Sequence, residues 1–193
     1  MNLPNKLTVS RLVLTVGFVA CMSLPLKNGT SVAVILFAIA SITDYFDGHL
    51  ARKHNIVTNF GKLADPLADK ILIAAAFILL AVDRVMPAWI AITVLAREFF
   101  VTGIRLVAAG QGEVLAAEKL GKHKMLWQII TVLYFMMRDA SVEPLFAWSA
   151  PFFAVEFFSP LWLGNFCIYF ATFLTLASGF SYFWKNRRIF ADL

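Results

Sequence analysis

The sequence predicts an all-α, polytopic membrane protein with six transmembrane helices and both termini cytoplasmic. Three observations carry that prediction. Composition comes first: 60% of the 193 residues are hydrophobic, 15% are charged, and the mean hydropathy is +0.76. A soluble domain is about half apolar and a quarter charged. Second, the apolar residues gather into six runs near the roughly 20 residues that cross a bilayer. Third, the basic residues fall mostly on alternate connections between those runs. The length suits one domain, residues 1–193.

The first predicted helix covers Leu7–Leu26 and is closed by Pro25 and Lys27-Asn28-Gly29. It follows a stretch, MNLPNKLTVSR, that lacks a signal-peptide cleavage pattern, so the run is expected to be retained. Ser31–Arg52 and Gly61–Val82 form the second and third, joined by a short connection that makes them antiparallel neighbours. Pro87 starts the fourth, which runs to Ala109. Lys119–Met137 and Leu161–Trp184 are the fifth and sixth. Between them, Pro144–Pro160 is aromatic but broken by Pro151 and Glu156, and reads as an interfacial or re-entrant segment.

Six spans place both termini on one side. Of the 17 Lys and Arg residues, only Lys27, Arg84 and Arg138 fall on the other side. Cytoplasmic loops carry the excess of basic residues, so the termini face the cytoplasm. The net charge of +5 then has a membrane explanation, and nucleic-acid binding is not needed. Trp89, Trp127, Trp148, Trp162 and Trp184 lie mostly near predicted helix ends, as an interfacial belt. Cys21 and Cys167 sit far apart in apolar runs and read as buried small hydrophobes.

Against this background stand Asp44, Asp47, Asp65 and Asp69, four of the chain's seven aspartates, at the cytoplasmic ends of the second and third helices. Asp44, Asp47, Gly48 and Ala51 recur on one helical face, as do Gly61, Asp65 and Asp69. Four carboxylates brought together without cations would repel and raise one another's pKa. Two Mg²⁺ or Mn²⁺ ions cancel that charge, and a pair of metals about 4 Å apart is a device of phosphoryl chemistry. Salt bridges to Arg52 or Lys62 are the alternative, enough for one or two of the four. Gly48, Ala51 and Gly61 leave room for a ligand beside the carboxylates or, alternatively, for close helix packing. Arg52 and Lys62 flank that opening and suit phosphate oxygens.

The pattern D-x-x-D-G-x-x-A-R-x8-G-x3-D-x3-D resembles the signature of the CDP-alcohol phosphotransferase family at every defined position and gap. The resemblance implies a six-helix membrane enzyme, a homodimer with two divalent cations. It implies that Asp44, Asp47 and Asp65 are metal ligands, and that Asp69 completes the metal site and acts as the general base. Gly48, Ala51, Arg52 and Gly61, with Asn5, Thr8 and Lys62, would bind CDP. Three further stretches, NLPNKLTVSR, ADPLADK and AREFFVTGIR with the following GKHK, resemble bacterial phosphatidylglycerophosphate synthases. They imply CDP-diacylglycerol and glycerol 3-phosphate as substrates. Related cardiolipin and phosphatidylserine synthases share some of these features, so other acceptors stay open.

An anionic acceptor also follows from charge. Arg97 and Arg105, eight residues apart, share one face of the fourth helix. An intramembrane arginine is costly unless it meets an anion. With Lys122 and Lys124 they suit the acceptor's phosphate. The alternatives are that Arg97 pairs with Glu98 or an aspartate, and that Lys124 is an ordinary basic helix end. His49, His54 and His123 have no metal-pair spacing and are expected to be solvated or interfacial, and Glu113 and Glu118 to be solvated. A divalent-cation transporter is the rival of another class. It predicts acidic residues at the bilayer midplane and often repeat symmetry, which the chain does not show.

Overall fold

A computed structural model describes residues 3–54, 59–113, 115 and 119–190, with the backbone path alone for residues 3–8, 44–54, 59–69 and 190. The described residues form helices and turns, without a strand. Six helices are long: α1 (Leu3–Ser23), α2 (Gly29–His54), α3 (Asn59–Val82), α4 (Ala88–Gly110), α5 (Lys119–Ala140) and α7 (Asn165–Lys185). A short α6 (Ala150–Ala154) lies between α5 and α7. These match the six predicted helical segments to within a turn or so at each end.

Local chemistry explains the boundaries. Pro25 follows the end of α1, and Asn28, at φ 64°, turns the chain into α2. Asn tolerates that left-handed conformation better than most residues. Arg84 takes the same conformation, φ 57°, in the turn between α3 and α4. Pro87 is the cap preceding α4 rather than its first residue, with φ −61° and ψ 137°. Its extended ψ sets the entry angle, and its missing N–H is not needed there.

Pro144–Pro160 contains no span-length helix. It folds into 3₁₀ turns at Ala147–Ser149 and Glu156–Phe158 on either side of α6, then a π turn at Pro160–Gly164 that leads into α7. Trp148, Phe157, Leu161 and Trp162 are exposed there. The run Glu156–Lys185 is long and apolar enough to cross a membrane; Val9–Ser23, Gly29–Thr43 and Lys70–Val82 are shorter apolar helical stretches.

Among the described residues, α1 packs along both α2 and α3, and the contact between α2 and α3 themselves is slight. On the other side α7 packs against α5 and α4, and α4 against α3. Phe18, Phe37, Phe77, Leu80, Ile90, Val94 and Phe135 fill the main core. A smaller cluster of Val101, Ile104, Ala108, Tyr182 and Ile189 joins the ends of α4 and α7. A Cβ on Gly164 would lie 2.8 Å from the Phe135 ring, so only glycine lets α5 approach the start of α7 this closely.

The outer surface is apolar as well. Phe166, Tyr169, Phe173, Leu176, Phe180 and Trp184 recur every three or four residues along the exposed side of α7. Cys21 is half-buried and Cys167 buried, and both are free thiols.

Candidate functional site

The α4 sequence AREFFVTGIR sets the site. Arg97, Val101 and Arg105 are spaced by four residues and so line one side of the helix. That side faces a cavity of about 240 Å³, walled by α3, α4, α5 and α7. Lys70 enters it from α3; Arg97, Glu98, Thr102 and Arg105 from α4; Lys122, Lys124 and Gln128 from α5; Tyr182 from α7. Five cations thus surround one carboxylate. The four cationic residues proposed from sequence for an acceptor phosphate, Arg97, Arg105, Lys122 and Lys124, all line this one cavity.

The cations are held in different ways. Lys124 is buried, 4% exposed, and its ammonium pairs with Glu98 Oε1. Arg97 Nη1 reaches the same oxygen at 3.3 Å. Sequence leaves Arg97 open between an acceptor anion, Glu98 and an aspartate of the cluster, and among the described residues the structure pairs it with Glu98. Arg97 Nε is buried with no hydrogen-bond partner among the described residues. Arg105 donates from Nε to the Tyr182 hydroxyl at 3.1 Å, and its guanidinium carbon lies 5.4 Å from that ring's centre. Lys122 and Arg105 are exposed at the mouth.

The polar walls are fixed too. Lys70 donates to the Thr102 hydroxyl, which donates to Glu98 O at 2.7 Å. Buried Gln128 donates to Thr175 Oγ1 of α7 at 3.0 Å. Such a concave set of guanidinium and ammonium donors suits a phosphate, since arginine binds its oxygens in pairs and lysine acts as a point charge. Thr102, Gln128 and Tyr182 were not anticipated. Only their position on the inner faces of their helices could have signalled them.

The acidic motif belongs to the same end of the bundle. Asp44, Asp47, Gly48, Ala51 and Arg52 lie in the last turns of α2, and Gly61, Lys62, Asp65 and Asp69 in the first turns of α3. Asn5 and Thr8 lie in the first turns of α1. The side chains of all eleven, like those of His49 and His54, are outside the described residues, as is Glu118. The link to the cavity is covalent: Lys70, on its wall, directly follows Asp69. His123 and Glu113 are exposed, as expected. Among the described residues no three His, Cys, Asp or Glu side chains converge as a metal site. As a donor set, four carboxylates suit hard divalent cations such as Mg²⁺ or Mn²⁺.

An acidic motif and a cationic cavity at one end of an apolar helical bundle suit an enzyme that handles phosphorylated substrates. Residues 1–176 match the family model described as CDP-alcohol phosphatidyltransferase, and the chain belongs to that family. It is 45% identical to the CDP-diacylglycerol–glycerol-3-phosphate 3-phosphatidyltransferase of Bacillus subtilis strain 168, over 96% of this chain and 95% of the relative. A protein of the same name from Rickettsia felis is 32% identical, over 98% and 97%. Another, from Salmonella typhimurium strain LT2, is 35% identical over 71% of this chain and 78% of the relative.

Proposed function

We propose that the chain transfers the phosphatidyl group of CDP-diacylglycerol to sn-glycerol 3-phosphate, giving phosphatidylglycerophosphate and CMP. The observation that carries this reading is the cationic cavity one residue along α3 from Asp69. It supplies what an acceptor with its own phosphate requires. Phosphatidylglycerol, the cardiolipin-forming acceptor, carries its phosphate as a diester beneath two acyl chains. The five cations that line the cavity match the greater charge of a free phosphate monoester better than that of a diester.

In the mechanism, Arg97, Arg105, Lys122 and Lys124 hold the acceptor's phosphate and so aim its 1-hydroxyl toward the start of α3. Fixing the nucleophile in this way accounts for much of a bimolecular reaction's barrier. Asp69 takes the hydroxyl proton. The oxygen attacks the phosphatidyl phosphorus in line, the bond to the CMP phosphate breaks, and CMP leaves. Arg52 and Lys62, with Asn5, Thr8, Gly48, Ala51 and Gly61, bind the CDP moiety and offset charge on the departing phosphate. Asp44, Asp47, Asp65 and Asp69 are suited to two Mg²⁺ or Mn²⁺ ions, which when bound neutralise the diphosphate.

The reading includes six membrane-spanning helices in one domain, with both termini and the active site at the cytoplasmic face of the cell membrane. The apolar exterior of α7 and the basic-residue asymmetry support it. The acyl chains of the donor stay in lipid while its head group reaches the site. A homodimer is part of the same proposal.

Purified protein given CDP-diacylglycerol with labelled glycerol 3-phosphate, phosphatidylglycerol, serine or inositol phosphate tests the acceptor. CMP release with labelled phosphatidylglycerophosphate is expected from the first alone. Preferred turnover of another acceptor overturns the reading.

A further inference from the structure

Helix α7 has no charged side chain from Asn165 to Trp184, and nothing in its sequence marks it as part of a phosphate site. Yet three positions on one of its faces, Thr175, Gly179 and Tyr182, each meet a side chain that lines the cavity. They are spaced at i, i+4 and i+7, the recurrence of a single helical face. Thr175 accepts the hydrogen bond of Gln128 at 3.0 Å. Gly179 lies under Arg97: a Cβ there would stand 3.0 Å from Arg97 Cγ and 3.7 Å from Nε. Tyr182, 2% exposed, accepts from Arg105 Nε and lies against its guanidinium.

We propose that Tyr182 and Gly179 are positioning residues for the acceptor's phosphate, Tyr182 by fixing Arg105 and Gly179 by seating Arg97. The proposal rests on the reading of the cavity as the acceptor site. Arg105 is exposed on α4, and a long exposed side chain loses rotamer freedom when it must meet a ligand. The Tyr182 hydroxyl holds Nε, the one guanidinium nitrogen that is not terminal, and leaves both terminal nitrogens for phosphate oxygens. Tyr182 is itself locked by burial between Val101, Ile104 and Ile189. Arg97 has the opposite problem, because it is buried and must fit. With no Cβ at Gly179 its aliphatic stem lies directly on the α7 backbone, and its head, paired with Glu98, lines the cavity.

Steady-state kinetics with each substrate varied in turn tests this, using Tyr182→Phe, Gly179→Ala, Arg105→Ala, Arg97→Ala and the doubles Tyr182→Phe/Arg105→Ala and Gly179→Ala/Arg97→Ala. Phenylalanine keeps the ring in the core and removes only the hydroxyl. Tyr182→Phe is expected to raise KM for glycerol 3-phosphate about tenfold or more, the worth of one hydrogen bond to a charged group. KM for CDP-diacylglycerol is expected to stay put. Gly179→Ala is expected to act in the same direction. Neither change should add to the loss in its arginine-free background, since coupled residues are non-additive.

If Arg105→Ala and Arg97→Ala leave KM for glycerol 3-phosphate unchanged, the acceptor reading falls and the proposal with it. If those two raise it while Tyr182→Phe and Gly179→Ala do not, or if the doubles are additive, the cavity stands and the positioning role of α7 is overturned.

Discussion

The ammonium of Lys124 on α5 pairs with the carboxylate of Glu98 on α4, although 26 residues separate them in sequence. Both side chains are largely buried, 6% and 18% exposed, and Lys124 relies on Glu98, which Arg97 also meets. Removing one partner of a buried pair strands the other's charge, whereas replacing both by apolar groups is often neutral. Glu98→Gln is therefore expected to lower stability by about 3 kcal/mol, and Glu98→Leu/Lys124→Met by less than Glu98→Leu alone, since Arg97 loses Glu98 in both. Unfolding of the detergent-solubilised protein measures this. A strictly additive double would mean that the pair contributes no coupling.

The two lysines of the cavity should not respond alike. Lys122 is exposed at the mouth, while Lys124 is buried against Glu98. Lys122→Ala is expected to raise KM for glycerol 3-phosphate only about threefold, an effect that salt screens away. Lys124→Ala removes a buried cation and leaves Glu98 to Arg97 alone, which would draw Arg97 away from the proposed acceptor phosphate. An increase of about tenfold or more, persisting at high salt, is expected. Kinetics at two ionic strengths separates them.

The contrast also shows how far sequence reaches. Arg97 and Arg105 were legible because helical spacing fixes which residues share a face, and charge in an apolar helix is conspicuous. The aspartate motif was legible from its gaps. Tyr182 was not, because a tyrosine near the end of an apolar helix looks like part of an interfacial belt. Its hydrogen bond to Arg105 spans 77 residues of chain. Gly179 and the Gln128–Thr175 pair were hidden for the same reason: each is defined by what another helix places opposite it.

At the opposite end of the bundle, Glu143 accepts backbone hydrogen bonds from Thr30 and Ser31, at 3.0 and 2.7 Å. The first turn of α2 has no acidic residue of its own, so this carboxylate, from beyond α5, serves the helix N-terminus. Burial alone would raise its pKa. The hydrogen bonds from Ser31 and Thr30 outweigh burial and hold it below the ordinary glutamate range. A depressed folded-state pKa gives stability that is present above the unfolded value and lost as pH falls through the folded one. Glu143→Gln is expected to cost about 1 kcal/mol at neutral pH and to be nearly neutral below that titration. A pH series of unfolding midpoints checks it; a pH-independent difference would rule out the charge as its source.

Asp69→Asn is expected to abolish turnover while leaving the unfolding midpoint near that of the parent, because the substitution preserves shape and removes the proposed proton acceptor. Loss of a general base costs about 10²- to 10⁴-fold. CMP release measured over a long incubation is sensitive enough to see a residual rate. Activity within about tenfold of the parent would remove Asp69 from the role of base.

Gln128 is 1% exposed, lines the cavity and spends its side-chain N–H on Thr175 Oγ1. Thr175 in turn donates to Ala171 O of its own helix at 2.7 Å, so its oxygen is oriented to accept. Thr175→Val keeps the shape of the side chain and deletes that acceptor. Gln128 then keeps a buried N–H with no partner on α7, at a cost of about 1–3 kcal/mol. Thr175→Val/Gln128→Leu restores an apolar contact between α5 and α7, and should recover most of that stability. Function should not recover with it, because the leucine takes a polar wall from the proposed acceptor cavity: KM for glycerol 3-phosphate is expected to remain raised. The divergence of the two readouts, midpoint restored and KM not, is the expected result. Recovery of both would reduce Gln128 to a packing role between the two helices.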